Sequence, residues 1–156
     1  MKKYLLLIII LLLSSCGKKE ELNSYSIKDD NNEVILYYND DVDYEFDSLE
    51  DNKYSFESKE LNIKGSLWLY SNDNYYKNKE SRSSKKSFVE YTFNEEYDGY
   101  RYQLTNKDLE LNILLDDVVL YFYIEEIDRS KSIDMDEIFK DKNFYKMFDL
   151  IEIKKL

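Results

Sequence analysis

The chain has 156 residues with no histidine, no proline and a single cysteine, and its 33 acidic side chains outnumber 22 basic ones for a formal charge of −11. Without histidine, Ser-His-Asp and Cys-His catalysis and histidine-bearing zinc sites are excluded, and three glycines, at 17, 65 and 99, cannot form a glycine-rich phosphate loop. The acidic balance is the opposite of the basic footprint that nucleic-acid binding requires.

Residues 1–15 have the layout of a secretory leader. Lys2-Lys3 is a basic start, Leu5 to Leu13 is an unbroken run of Leu and Ile, and the small residues Ser14-Ser15 precede Cys16. The apolar run is far shorter than the roughly 20 residues needed to cross a hydrocarbon core. Leu13-Ser14-Ser15-Cys16 resembles the lipobox of bacterial lipoproteins: an aliphatic residue, two small residues, then cysteine. The resemblance implies cleavage between Ser15 and Cys16 and acylation of Cys16. It also implies attachment to a membrane on the extracytoplasmic side of a bacterial cell envelope. Each buried CH₂ of such an anchor contributes about 0.8 kcal/mol, so two or three chains hold the protein durably.

Loss of residues 1–15 removes Lys2 and Lys3 and takes the formal charge to about −13. With Cys16 acylated, the remaining chain has neither thiol nor disulfide. Residues 16–21 are a short polar tether, and residues 22–156 are expected to form a single domain stabilised by core packing.

After Leu22 the pattern is mostly strand. Asn23 to Ile27 and Glu33 to Tyr38 are short β-favouring runs separated by the turn cluster Asp29-Asp30-Asn31-Asn32. Asp41 to Asp47 alternates strictly, placing Asp41, Asp43, Glu45 and Asp47 on one face and Val42, Tyr44 and Phe46 on the other. Lys53 to Ser58 and Glu60 to Tyr70 follow. In the second run Leu61, Ile63, Leu67 and Leu69 share a face with Gly65, while Trp68 and Tyr70 face away. A mid-strand glycine implies a bulge or a close backbone approach.

Ser71 to Ser87 is rich in Ser, Asn and Lys and reads as a long exposed loop. Phe88 to Phe93 and Tyr100 to Leu104 form a hairpin whose turn ends in Asp98-Gly99. Leu109 to Leu115 and Val118 to Ile124 form a tighter one around Asp116-Asp117. Val118 to Ile124 is apolar on both faces, which places it centrally in a sheet. Asp134 and Glu137 stand at capping-box spacing, and Ile133 and Ile138 at hydrophobic-staple spacing. A helix is therefore expected over about 134–145, followed by a last strand from Phe148 to Ile153.

These elements define a mainly β protein: an antiparallel sandwich or an up-and-down barrel with one short C-terminal helix and a final strand. A barrel closing with a helix and a strand resembles the lipocalin architecture. That family's early Gly-x-Trp motif is absent, however, since Gly65 and Trp68 are three apart and lie mid-chain.

Candidate chemistry is sparse. The strip Asp41, Asp43, Glu45, Asp47 is a candidate site for a divalent cation such as Ca²⁺, which oxygen ligands suit. Its Asp-x-Asp start departs from an EF-hand loop, because Phe46 stands where that loop needs glycine and Asn52 where it needs glutamate. A charged edge strand that resists aggregation explains the same pattern. Ser83-Ser84-Lys85-Lys86 matches Ser-x-x-Lys but lies in the most polar stretch of the chain. Tyr70, Tyr75, Tyr76, Tyr97 and Tyr100, near strand ends, could stack on sugar rings or anchor a partner. The expectation is a non-catalytic, lipid-anchored envelope protein that needs no cofactor and acts by binding or structural contact. Two alternatives stand beside it. One is an inhibitor that meets a basic envelope-attacking enzyme such as lysozyme as its protein partner. The other is a carboxylate-dependent glycosidase.

Overall fold

The computed structural model describes residues 22–39, 42–50, 52–84, 88–93, 96–105, 108–128, 130 and 150–156. Ten strands are defined in these segments: β1 (Leu22–Lys28), β2 (Asn32–Asn39), β3 (Tyr44–Ser48), β4 (Lys53–Ser58), β5 (Ile63–Ser71), β6 (Phe88–Phe93), β7 (Tyr97–Thr105), β8 (Asp108–Leu115), β9 (Val118–Glu126) and β10 (Ile151–Lys155). A 3₁₀ turn at Asn72–Asn74 leads into helix α1 (Tyr75–Ser83).

The strands form two antiparallel sheets. One has the order β1-β2-β10 and the other β3-β4-β5-β9-β8-β7-β6. Neither is closed, so the architecture is a sandwich and the barrel alternative is set aside. As its two-sided apolar pattern requires, β9 occupies the centre of the seven-stranded sheet, paired with β5 and β8.

Period-2 alternation decides what lies between the sheets. Leu109, Leu111, Ile113 and Leu115 of β8 and Leu120, Phe122 and Ile124 of β9 point inward and are essentially inaccessible. They meet Ile27 of β1 and Val34 and Leu36 of β2, which are equally buried. Each such side chain contributes roughly 1.5–3 kcal/mol on burial. At one margin Tyr25 stacks on Phe46 with centroids 4.6 Å apart. There too the Lys28 amide donates to the Tyr54 hydroxyl at 2.9 Å, joining the sheets.

Three expectations change. Ser71 to Ser84 is not a loop: it holds the 3₁₀ turn and α1, and Tyr75 is fully buried. The stripe of α1 that meets the sheet is Tyr75, Asn78, Lys79 and Arg82, at helical spacing but mostly polar, so no apolar periodicity announces the helix. Asp98-Gly99 is not a turn either. Both residues belong to β7, and Phe93 is already opposite Tyr97. The reason is contact: a Cβ on Gly99 would stand 2.1 Å from the Phe93 ring and 2.8 Å from the Asn112 carbonyl oxygen. The third change concerns Leu61, which lies in the turn before β5 rather than in the strand. The helix expected over 134–145 lies outside the described residues.

The Asp116-Asp117 hairpin is present, with Asp116 at φ 53° and Leu115 opposite Val118. Gly65 makes a close approach without a bulge, since its register between Phe56 and Ile124 is regular.

Candidate functional site

The outer face of the seven-stranded sheet turns away from the core. On β5 it carries Lys64, Ser66, Trp68 and Tyr70; on β9 Val119, Tyr121, Tyr123 and Glu125; on β8 Asp108, Glu110, Asn112 and Leu114. Cross-strand register sets Trp68 beside Tyr121 and Tyr121 beside Asn112. Helix α1 crosses this face over β7 and β8. Tyr75 is its anchor, packed on Tyr100 with ring centroids 5.4 Å apart. Lys79 pairs with Glu90 of β6 at 2.9 Å.

Beside the helix lies a cleft of about 390 Å³. Its lining is Trp68 and Tyr70 from β5, Tyr121 from β9, Glu110 and Asn112 from β8, and Asn74, Asn78 and Arg82 from the helical segment. The volume falls in the range of small-molecule sites. Trp68 and Tyr121 form its aromatic side, with centroids 4.1 Å apart and planes inclined by 36°. Lys53 lies over the Trp68 ring at 5.5 Å.

The polar side is arranged around Glu110 and Asn112. Arg82 Nε stands 3.1 Å from Glu110 Oε2. The contact is one of charge rather than an aligned hydrogen bond, because Oε2 is buried without a hydrogen-bond partner. The Tyr121 hydroxyl donates toward the same carboxylate. Burial first, and then the Glu110 charge, hold that hydroxyl far above the usual tyrosine range. The Tyr70 hydroxyl donates to Asn112 Oδ1 at 2.7 Å. Asn112 is 2 % exposed, and its Nδ2 has no hydrogen-bond partner. A buried donor left unmade costs about 1–3 kcal/mol, so the fold tolerates it against its own stability.

A second trough of about 440 Å³ runs along β3, β4, β5 and β9. Glu45, Asp47, Glu57 and Glu125 line it with Lys64 and Tyr123, giving it a negative balance.

The residues singled out from sequence fall in different places. Ser15, Cys16 and Asp41 lie outside the described residues. Asp43 precedes β3, and its Oδ1 accepts from the Ser58 hydroxyl at 2.8 Å and from the Glu60 amide at 3.1 Å. The Ser58 bond, followed by the backbone amides, draws this carboxyl below its ordinary range despite slight desolvation. Glu45 is 3.5 Å from Lys59 Nζ, and Asp47 accepts from the Ser48 amide at 2.8 Å. β3 is an edge strand. Among the described residues, no three Asp, Glu, His or Cys side chains are grouped so as to hold a metal ion.

Of the five tyrosines, Tyr70 alone lines the cleft. Tyr75 and Tyr100 are buried under α1, Tyr76 is exposed, and Tyr97 packs against the core. The Ser83 hydroxyl donates to the Glu80 carbonyl at 2.7 Å, an ordinary helix-end bond. Sequence reasoning missed Glu110, Asn112, Tyr121 and the helical residues as a group. The available signal was alternation: Glu110 and Asn112 interrupt Leu109, Leu111 and Ile113 at every second position, which marks a polar face under cover. The chain matches no protein-family model, no curated protein and no solved structure.

Proposed function

We propose that this chain is a lipid-anchored, non-catalytic binding protein of a bacterial cell envelope. It is fastened through Cys16 and uses the cleft between α1 and the seven-stranded sheet as its binding site. The leader and Leu13-Ser14-Ser15-Cys16 support the anchor. The observation that carries the binding role is Asn112: a buried amide in the lining of an aromatic cleft, whose donor has no partner of its own. Polar groups kept unsatisfied beneath an accessible cleft are a mark of ligand sites. The described lining contains one carboxylate, Glu110. Glycoside hydrolysis by two carboxylates would need a second opposite it.

The test has two arms. A Cys16→Ala variant expressed in a bacterium should take up no labelled fatty acid and should be released from membranes by washing. Retention of label by the variant refutes the anchor. For the cleft, a low-molecular-weight fraction of envelope extract should change the emission of Trp68, the only tryptophan of the chain. The change should vanish in Asn112→Leu. An extract that leaves wild-type emission unchanged at every dilution refutes the binding role.

A second reading rests on the acidic trough of Glu45, Asp47, Glu57 and Glu125. It suits a basic protein such as an envelope-attacking lysozyme, which the chain's negative field would steer. That reading predicts a complex that weakens as salt rises and forms equally well with Asn112→Leu.

A further inference from the structure

Resting on the assignment of the α1 cleft as a binding site, we propose that its ligand is a neutral saccharide. Charge gives the first argument. Arg82 and Glu110 are the only charged side chains in the described lining, and they compensate each other at 3.1 Å. A phosphate, carboxylate or ammonium on the ligand would enter a partly desolvated site whose two lining charges already meet each other. Lys53, the further cation over the Trp68 ring at 5.5 Å, stands outside that lining. The cleft is neutral within a chain of charge −11, so this neutrality is local and specific.

The second argument is the kind of polar group present. Asn74 and Asn78 stand one helical turn apart on the helical segment, and Asn112 faces them from β8. Each side-chain amide presents a donor next to an acceptor. Adjacent sugar hydroxyls present the same pair in return. Asn112 Oδ1 is already taken by Tyr70, so what its amide has left to offer is the unpartnered Nδ2 donor, which suits an acceptor oxygen. A purely apolar guest would leave that donor buried and unmade.

The third argument is the opposite wall. Trp68 and Tyr121 supply a joined aromatic surface against which the C–H face of a sugar ring can rest, as amphipathic rings favour. A guest that is polar at its rim, apolar on one face and uncharged is what these three features select together. The volume of about 390 Å³ accommodates one or two such rings.

The experiment uses the full acylated chain in a zwitterionic detergent, because a detergent with a sugar headgroup would compete. Neutral hexose and N-acetylhexosamine oligosaccharides are titrated at up to millimolar concentration. Matched sugar phosphates and an alkylammonium compound run beside them. Trp68 emission and calorimetry report binding. At least one neutral saccharide should bind saturably. Its affinity should fall about tenfold or more in Asn112→Leu and in Asn78→Ala, a loss equivalent to one hydrogen bond to a buried partner. Asn78 lies on α1, so its variant keeps the test decisive if Asn112→Leu fails to fold. Lys59→Ala, in the turn between β4 and β5 and paired with Glu45 of the edge strand β3, should bind as wild type does. If only the phosphates or the cation bind in an Asn112-dependent way, the saccharide assignment is overturned while the binding role stands. If the envelope extract acts on Trp68 but no neutral saccharide does, the saccharide assignment is likewise overturned. If neither acts, both fall.

Discussion

Arg82 on the last turn of α1 stands 3.1 Å from Glu110 of β8, and by this contact the helix closes over a carboxylate that is only 8 % exposed. Removing the cation alone leaves that charge buried without compensation, which is the costly half of any ion pair. Arg82→Met should therefore destabilise the protein by about 1–3 kcal/mol, discounted because the guanidinium is partly solvated. The double variant Arg82→Met with Glu110→Leu should recover most of that loss. Urea midpoints of the two single variants and the double variant check this, and additive losses would count against it.

Gly65 and Phe56 are cross-strand partners, and the Phe56 ring covers the glycine. A Cβ at position 65 would stand 1.9 Å from the Tyr123 carbonyl oxygen and 2.9 Å from Phe56 Cε1. The first is backbone of the central strand β9, so it cannot swing aside. Gly65→Ala should cost about 3 kcal/mol, at the upper end of overpacking penalties. Gly99→Ala meets the Phe93 ring at 2.1 Å and backbone, the Asn112 carbonyl oxygen, only at 2.8 Å, and should cost less. The order of the two denaturation midpoints is the measurement.

Stability should fall in strong alkali. Burial is the first cause that raises the hydroxyls of Tyr75, Tyr100 and Tyr121 far above their ordinary range. With folded values above the unfolded value of about 10, the folded state holds more protons once the pH passes that value. The contribution of these groups is complete below about pH 10 and is lost progressively above it. Ultraviolet titration should show most of the 16 tyrosines ionising first and a late group ionising together with loss of the circular dichroism of the sheets. Phe substitution at position 121 should shrink the late group.

At the acid end the sign reverses. The Ser58 hydroxyl is the main cause that holds the Asp43 carboxyl below its usual value. Its contribution is present above the unfolded value, near 3.9, and disappears as the pH falls through the lower folded value. Ser58→Ala should lower the melting temperature at neutral pH and flatten its decline between roughly pH 5 and 2. Parallel melting curves of variant and wild type across that range would refute the assignment.

Tyr70 and Asn112 share a 2.7 Å bond that leaves the second half of the amide idle. Replacing both by apolar groups of similar shape, Tyr70→Phe with Asn112→Leu, removes the buried pair and its unmade donor together. Such an exchange should raise stability by about 1 kcal/mol, while Asn112→Leu alone should gain less because Tyr70 then loses its acceptor. Thermal melts without ligand separate these cases.

The scaffold was readable from the sequence wherever one face of a strand is apolar. Val118 to Ile124 announced a central position by being apolar on both faces, and Ile63, Leu67 and Leu69 announced the core side of β5. The cleft was not readable, for two physical reasons. Its walls come from β5 and from the β8-β9 hairpin, and the pairing of β5 with β9 spans 47 to 63 positions, which no local pattern records. Its roof is α1, where Asn78, Lys79 and Arg82 take positions that apolar residues normally fill. A helix held down by one tyrosine and ion pairs looks like a loop to any reading based on hydrophobic period. Gly99 misled for a related reason: glycine marks turns, but here it makes room for Phe93.

Strand β2 pairs on one side with β1, its immediate predecessor, and on the other with β10. Residues 34 and 36, fully buried in the finished protein, therefore wait for a neighbour that lies more than a hundred positions downstream. A chain delivered in order from its amino end can make the β1-β2 hairpin at once. It cannot complete that sheet until Ile151–Lys155 has emerged. Throughout that interval the open side of β2 is an unguarded template for pairing with another molecule. Truncation of the last six residues should thus show itself first as aggregation during production.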